Sequence, residues 1–259
     1  MAINFHDSNV KSSYSSREVS KDWEQCLMQW IGDNELNQAV DIGCGGGIYT
    51  KALAEMGIKR VTGIDFSEVM IEEARANSSH LDQVDFAIGP ADHTRLPDEF
   101  ADIVLERALI HHIEDLTSCF KEVHRVLREN GLIIVQDRTS EDCLLRGNQT
   151  HIRGYIFERF PHLAQIETDR RHDSQTVVSA LEKVGFTSIE EIKLWETRKM
   201  YVSKDELLTD IRSRTGRSIL HELSDEELHQ LVGYIDVQLS TTEKIVEKDC
   251  WTVWKGIKG

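Results

Sequence analysis

A cluster of glycines directly after an apolar segment constrains the fold of this chain more than any other feature. Residues 39–42 read Ala-Val-Asp-Ile, which is typical of a β-strand, and glycines follow at positions 43, 45, 46 and 47. Residues 48–54 then have the composition of a helix. A glycine lets a ligand approach the backbone where a Cβ would obstruct it, and the helix N-terminus beside it attracts polar groups. The segment therefore predicts a strand–loop–helix unit that binds a ligand containing a nucleoside.

The spacing of these glycines excludes two common nucleotide-binding motifs. The dinucleotide fingerprint requires Gly or Ala at the sixth position counted from Gly43, and that position is Ile48. A phosphate-binding loop requires Gly-Lys-Ser/Thr after the cluster, and none follows. The sequence Asp-Ile-Gly-Cys-Gly-Gly-Gly resembles motif I of the class I S-adenosylmethionine (SAM)-dependent methyltransferases. That resemblance implies a cofactor with a ribose and an adenine but no pyrophosphate.

Acidic residues follow the next two apolar segments. Residues 60–65 end in Asp65, 24 residues after Asp41, which is close to the interval of about 20 for a carboxylate that binds a ribose. Asp65 could accept a hydrogen bond from each vicinal hydroxyl, and helix capping is its alternative role. A third segment begins at Val84 and is followed by Asp92. There the resemblance implies a contact with the adenine amino group, with a turn role as the alternative.

Tandem histidines follow the fourth predicted strand, residues 100–106. Ligands of open parallel sheets bind outside the carboxyl ends of the strands, and in this family that strand end faces the methyl group. Because imidazole titrates near neutral pH, His111 and His112 are candidate general bases. Packing at a helix entry is their alternative role. A base is needed for a hydroxyl or an acidic C–H acceptor, and hardly at all for a thiolate, a carboxylate or a neutral amine.

The resemblance covers roughly residues 36–137, where the sequence is similar to the type 11 methyltransferase domain of small-molecule enzymes. Over 108–137 the sequence predicts a helix at 116–128, a stop at Asn130-Gly131 and a strand at 132–137. The cofactor-binding residues that the resemblance implies are Asp41, Gly43, Cys44, Gly45, Asp65, Phe66, Ala91, Asp92, Arg107 and Tyr14. The implied cofactor is SAM, with S-adenosylhomocysteine as its product.

The expected fold class is α/β, with a Rossmann-like, doubly wound sheet of seven mostly parallel strands and an antiparallel last strand. After residue 137 we predict a helix at 174–184, a strand at 188–201 and a last strand at 250–255. The expected domains are an N-terminal helical lid (1–35), a core (36–201 and 250–259), a substrate-side insertion (138–173) and a helical cap (202–249). A helix is expected over 16–31 in the lid, and two Ser-x-x-Glu capping boxes, at 203–206 and 224–227, in the cap.

Both additions contain many arginines for an acidic protein. Arginine forks suit carboxylate or phosphate groups, so Arg138, Arg153, Arg212 and Arg214 are candidate substrate-binding residues. The alternative is a set of solvated ion pairs with neighbouring acids. We hypothesise that at least one of the four binds an anionic group of the methyl acceptor.

Composition excludes several functional classes. The 259 residues can form a single domain and carry a net charge of −15, which repels nucleic acid. The sequence has no uninterrupted apolar run of 18 residues and no signal-peptide pattern, so a cytoplasmic protein with no membrane partner is expected. Five cysteines without a C-x-x-C pair indicate neither a disulfide framework nor a metal site.

Two functional hypotheses remain open from the sequence. The first is a SAM-dependent methyltransferase acting on a small, anionic metabolite, with a homodimer also compatible with the sequence. The second is a SAM-binding regulatory protein without turnover, since no residue in the sequence demonstrates activation of a nucleophile. A dehydrogenase is disfavoured by Ile48.

Overall fold

The computed structural model describes residues 19–32, 36–240 and 244–259. From the N-terminus to the end of the fifth strand, the described elements are α1 (Lys21–Ile31), β1 (Gln38–Ile42), α2 (Ile48–Glu55), β2 (Arg60–Asp65), α3 (Glu68–Asn77), β3 (Val84–Ile88), β4 (Ala101–Arg107), a 3-10 turn (Ile110–His112), α4 (Leu116–Val126) and β5 (Leu127–Asp137). They continue with α5 (Ser140–Cys143), α6 (Arg153–Arg159), a 3-10 turn (Pro161–Leu163), α7 (Ala164–Asp169), α8 (Ser174–Val184), β6 (Phe186–Tyr201), α9 (Lys204–Arg212), a 3-10 turn (Ser218–Glu222), α10 (Asp225–Gln238) and β7 (Ile245–Lys258).

The chain forms two compact units, each with its own hydrophobic core. The sheet unit contains the described residues up to Asp137, together with His172–Lys193 and Thr252–Gly259. The insertion unit contains Arg138–Arg171 and Leu194–Trp251. The two segments predicted as separate additions therefore contribute to the same compact unit, and β6 and β7 supply residues to both units.

Seven strands lie in the order β3-β2-β1-β4-β5-β7-β6. Strands β3, β2, β1, β4 and β5 pair in parallel, and β7 runs antiparallel to β5, with Asp137 opposite Thr252. Every residue of β1 is buried, as expected where helices cover both faces of a parallel sheet. The predicted sheet, with its antiparallel last strand, is confirmed.

Helix α8 begins and ends where the sequence predicts. Its N-cap Asp173 accepts a hydrogen bond from the Thr176 amide at 2.7 Å, and Gly185 ends the helix with φ of +110°. Helix α4 ends at Val126, two residues before its predicted end, because Leu127 is fully buried as the first residue of β5. Its pairing with Ala101 places Leu127 in the sheet.

Helix α1 begins at Lys21, with Ser20 as its N-cap. The predicted start at residue 16 and the candidate cofactor residue Tyr14 both lie outside the described residues. Trp23 and Leu27 are buried, four residues apart on one face of α1.

The insertion unit is built around apolar side chains from α6, α9 and α10. The capping box at Ser224 is confirmed, since Ser224 and Glu227 bond reciprocally. The box predicted at Ser203 is partly wrong. Ser203 accepts from the Glu206 amide, but the Glu206 carboxylate accepts from the Val202 amide instead of closing back on the N-cap.

Candidate active site

The glycine loop between β1 and α2 has a conformation that requires glycine. The amides of Gly43 and Cys44 both donate to the Ile64 carbonyl, at 2.7 and 3.0 Å, which ties the loop to the end of β2. Gly43 has φ of +74°, and a Cβ there would lie 2.8 Å from Leu109 Cδ1. The Cys44 thiol is buried, and burial raises its pKa well above its usual value. The loop therefore presents backbone rather than reactive side chains.

Asp65 is held at the end of β2 by two backbone amides. Gly45 N donates to Asp65 Oδ2 and Ser67 N donates to Oδ1, each at 2.9 Å. Burial raises the pKa of the Asp65 carboxyl, while these amide bonds oppose the rise. Each carboxylate oxygen can accept a further hydrogen bond. The geometry fits the two hydroxyls of a ribose lying beside the glycine loop.

Exposed apolar side chains lie next to this carboxylate. Phe66 is 57% exposed and Ile88 is 41% exposed, and Ile88 is the register partner of Asp65 across β2 and β3. Large exposed apolar groups at the carboxyl ends of parallel strands suit the face of a base. In the loop after β3, Ala91 is half-buried and Asp92 is exposed.

Asp41 and Arg107 lie at the base of the same site. Asp41 is buried and accepts a hydrogen bond from Thr50 Oγ1 at 2.6 Å. Burial raises its pKa to about 6, with the nearby Arg107 charge opposing the rise. The Arg107 guanidinium lies 4.1 Å from the centre of the Tyr49 ring. Asp41 thus supports the loop from inside, and Arg107 adds positive charge close to it.

The tandem histidines lie on the 3-10 turn after β4, and His111 is paired with a carboxylate. His111 Nδ1 lies 2.8 Å from Asp137 Oδ2, and the His111 amide donates to the same oxygen at 3.2 Å. Asp137 is buried at the end of β5. The His112 ring packs 4.0 Å from the His111 ring, centre to centre. The ring of His111 is therefore fixed by a buried acid, which makes His111 the candidate base with a defined orientation.

A second ionisable group is buried at the end of β4. Glu106 is fully buried and accepts a hydrogen bond from Cys119 Sγ at 3.1 Å. Its Oε2 atom makes no hydrogen bond to any described residue. Burial raises the pKa of Glu106 to about 7. This carboxyl therefore changes charge near neutral pH inside the core of the sheet unit.

Arginines of the insertion unit gather around two carboxylates. We call this group the arginine cluster; it comprises Arg138, Arg153, Arg170, Arg171, Glu167 and Asp249. Arg153 lies 3.6 Å from Glu167 and 3.8 Å from Asp249, and the Arg171 Nε atom donates to Glu167 at 2.9 Å. Arg170 also pairs with Glu167. Two of the predicted substrate residues, Arg138 and Arg153, therefore both form ion pairs with Asp249.

The charges in the cluster are not evenly compensated. Burial and the neighbouring Arg153 charge lower the pKa of Arg138 to about 10. Burial alone would raise the pKa of Glu167, but Arg153 and Arg171 hold it far below its usual range. Two buried donors, Arg153 Nη1 and Arg170 Nε, make no hydrogen bond to any described residue. Buried donors of this kind normally have a partner, so the cluster has capacity for an anion.

The other two predicted arginines lie elsewhere in the insertion unit. Arg214 donates to the carbonyls of Leu220 and Leu223 and pairs with Asp225 at 3.0 Å, which is a loop-stabilising role. Arg212 is exposed at the end of α9. The structure therefore brings Arg138 and Arg153 together and does not bring Arg212 or Arg214 to them.

Comparison with known proteins decides the family. The family model described as a methyltransferase domain matches residues 40–135, which include the glycine loop, Asp65 and both histidines. A demethylmenaquinone methyltransferase from Staphylococcus epidermidis is 30% identical over 189 residues, which cover 67% of this chain and 78% of that protein. The chain belongs to the SAM-dependent methyltransferases. This methyltransferase is also 26% identical over 203 residues to a demethylmenaquinone methyltransferase from Staphylococcus aureus, covering 78% of the chain and 80% of that protein.

Solved methyltransferase structures share the fold. A protein of Anabaena variabilis, assigned as a methyltransferase to an antibiotic biosynthesis pathway, superposes with a TM-score of 0.69 at 19% identity, covering 93% of this chain and 98% of that one. Phosphoethanolamine N-methyltransferase 2 of Haemonchus contortus, solved with SAM, superposes with a TM-score of 0.58 at 19% identity, covering 99% and 60%. The cofactor of this methyltransferase is SAM, and an enzyme is the hypothesis that stands.

Several contacts of the candidate site could not be predicted from the sequence. The sequence predicts Asp137 only as the end of a strand, whereas in the structure its carboxylate fixes the His111 ring. Glu167 and Asp249 lie 14 and 96 residues from Arg153, so no local pattern links them to it. The position of Glu106 at the end of a predicted strand follows from the sequence, but its complete burial and raised pKa do not. Among the described residues, no helix is sufficiently long and apolar to cross a membrane.

Proposed function

We propose that this enzyme transfers the methyl group of SAM to a small, anionic acceptor, with His111 as the general base. The proposal that the acceptor is anionic rests on two buried guanidinium nitrogens of the arginine cluster that make no hydrogen bond to any described residue. The observation that supports the base is the pairing of His111 with a buried carboxylate. A general base favours a hydroxyl oxygen or an acidic carbon as the acceptor atom, because these must lose a proton for the transfer to occur.

The cofactor would be held by the glycine loop and Asp65. The Asp65 carboxylate would accept from the ribose hydroxyls, and Phe66 would cover a face of the adenine. The glycine loop would give the methionine part access to the backbone. When bound, SAM supplies a methyl group activated by a sulfonium. The enzyme's own contribution is alignment, for which a fixed geometry can supply on the order of 7–11 kcal/mol.

His111 would act through its Nε2 atom. With Nδ1 against Asp137 Oδ2 at 2.8 Å, the neutral ring carries its proton on Nδ1 and leaves the Nε2 lone pair available. Asp137 would orient the ring and stabilise the imidazolium that forms when Nε2 takes the acceptor's proton. Because the His111 amide donates to the same carboxylate, backbone and ring are fixed together.

The arginine cluster would bind the anionic group of the acceptor. Arg153 Nη1 lies 3.6 Å from Glu167 in an ion pair but makes no hydrogen bond, and Arg170 Nε makes none either, so a carboxylate or phosphate oxygen could accept from these donors. Arg138 follows Asp137, the acid partner of His111, directly in the chain. An anion would also offset the repulsion between Arg138 and Arg153.

Fractionation by charge tests the class of acceptor without knowing its identity. A metabolite extract is separated on an anion exchanger at pH 7.5, and each fraction is incubated with the enzyme and SAM labelled in the methyl group. Label should enter a product in the retained fractions and not in the unretained material. Demethylmenaquinone is assayed in parallel, because the curated relatives are named for it. Labelling confined to unretained fractions or to demethylmenaquinone would refute an anionic acceptor.

Variants then test the two groups of residues. Arg153→Met should raise KM for the retained acceptor by roughly 10- to 100-fold, the loss expected of a charged hydrogen bond. Arg212→Ala, an exposed arginine on α9, is the matched control and should leave KM unchanged. His111→Gln should lower kcat by roughly 10²- to 10⁴-fold. Full activity of His111→Gln would exclude general-base catalysis by this residue.

A further inference from the structure

A histidine far along the chain bonds to the turn that carries His111. His172 Nε2 lies 3.1 Å from the Ile110 carbonyl oxygen and 2.8 Å from the Ile113 carbonyl oxygen. These two carbonyls bracket His111 and His112 in sequence. All of these residues belong to the sheet unit. The His172 side chain therefore reaches the turn from the segment that precedes α8.

The two carbonyl oxygens determine which form of the His172 ring can make this contact. Both partners are carbonyl oxygens, so Nε2 must carry a proton and donate to both. An Nε2–H is available in the neutral ring with that tautomer and also in the imidazolium. The contact is therefore compatible with either charge state of His172.

The turn needs support, because it begins with an unfavourable backbone conformation. Ala108 has φ of +52°, a left-handed value that a residue with a Cβ rarely adopts. Its amide donates to the Gln136 carbonyl at 2.8 Å, and inside the turn His112 N donates to Leu109 at 2.9 Å. Asp137 holds His111 from the side of β5. His172 supplies the contact from the side of α8.

We infer that His172 is a positioning residue, which fixes the Ile110–Ile113 turn so that His111 Nε2 is presented to the acceptor. This inference rests on the proposed role of His111 as the base. The side chain of His172 acts on the reaction only through the turn, since its Nε2 is occupied by the two carbonyls.

The hydrogen bonds of His172 to the turn are not needed to hold α8 in place. The N-terminus of α8 is capped by Asp173, whose carboxylate accepts from Thr176 N. The helix is anchored in the core by Val177 and Leu181, both fully buried. His172 also forms part of the wall of a surface groove of about 460 Å³ between the start of α4 and α8, and no predicted cofactor residue within the described part of the chain lines this groove. Replacing His172 should therefore alter the turn and leave both the helix and the SAM pocket in place.

Substitution of His172 in the full chain tests the inference with two independent measurements. The first is nuclear magnetic resonance of the free protein, in which the His111 Nδ1 proton bonded to Asp137 should be slow to exchange. In His172→Ala this resonance should broaden or disappear. His172→Gln keeps a side-chain N–H donor and should restore it at least in part. Gln175→Ala, an exposed residue that lines the same groove, is the matched control and should leave it unchanged.

The second measurement is kinetic and uses labelled SAM with the retained acceptor fraction. His172→Ala should lower kcat by roughly 10- to 100-fold, as for a catalytic group displaced by about 1 Å, with KM for SAM and for the acceptor within twofold of wild type. His172→Gln should recover much of that loss. The double variant His111→Gln/His172→Ala should be no slower than His111→Gln alone, because both changes act on one function.

The outcomes separate this inference from the proposed function. If His111→Gln is inactive while His172→Ala keeps both the wild-type kcat and the His111 resonance, His172 is not a positioning residue and the base is still His111. If His111→Gln is fully active, the base assignment fails, and loss of the His111 resonance in His172→Ala would then show a structural contact only. A rise in KM for SAM without a fall in kcat would also overturn the inference.

Discussion

Glu106→Gln should change how the stability of the sheet unit depends on pH. Burial raises the pKa of Glu106 from 4.5 to about 7, so between these values the folded protein binds a proton that the unfolded chain has lost. The free energy of unfolding therefore falls as pH rises through this window. A shift of this size corresponds to about 3 kcal/mol at 1.36 kcal/mol per pH unit. Glutamine does not titrate, so the variant should lack this loss.

Urea unfolding at a series of pH values between 5 and 8 measures the effect. Between pH 5 and pH 8 the free energy of unfolding of the wild type should fall by about 2 kcal/mol more than that of Glu106→Gln. The difference is smaller than 3 kcal/mol because part of the window lies below pH 5. Glu122→Gln is the matched control. Burial would raise the pKa of Glu122, but hydrogen bonds from Arg125 and Thr94 lower it overall, so Glu122 is mostly ionised in the folded and the unfolded state over this range. The control should shift the whole curve without changing its slope, and a parallel shift for Glu106→Gln would refute the reasoning.

Three further predictions concern the cofactor loop and the arginine cluster. Asp65→Ala should weaken SAM binding by about 1.5–3 kcal/mol in calorimetry, the range for hydrogen bonds to a charged group, and unchanged affinity in a folded variant would contradict the assignment. Gly45→Val should abolish thermal stabilisation by S-adenosylhomocysteine, because Gly45 has φ of +51° and a β-branched residue cannot adopt it without strain. Arg153→Met should lower the free energy of unfolding in urea by about 3–5 kcal/mol, since it leaves Glu167 and Asp249 buried with one partner fewer, whereas the exposed control Arg212→Met should change it by less than about 0.5 kcal/mol.

The sequence predicts those features that depend on neighbouring residues. The glycine loop, the strand that ends at Asp65 and the helix between Asp173 and Gly185 all follow from local composition, capping and spacing. Strand β7 is longer than predicted, because its first half starts in a segment with alternating charges that does not read as a strand. Partners distant in sequence could not be assigned. Asp137 meets His111 across 26 residues, and only the order of the strands brings the two together.

The arginine cluster also shows why charge counts along a sequence do not identify a binding site. The sequence offers many arginines, and the alternative of ion pairs holds for most of them, as it does for Arg214 with Asp225. What distinguishes Arg138 is that its pKa falls, to about 10, whereas that of Arg153 between Glu167 and Asp249 rises. A fall in the pKa of an arginine means that the folded protein disfavours its charge, which lowers stability at neutral pH.

In the proposed function, an anionic acceptor bound beside Arg138 would offset this cost. Binding that anion would recover the free energy lost on burying Arg138, and would do so only when the acceptor is in place. The same reasoning applies to Arg153 Nη1 and Arg170 Nε, whose hydrogen bonds would form in the complex rather than during folding. Sites of this kind exchange stability of the free protein for affinity toward the ligand. In the proposed function, the arginine cluster would select an anionic acceptor, Asp65 would bind the cofactor and His111 would be the base.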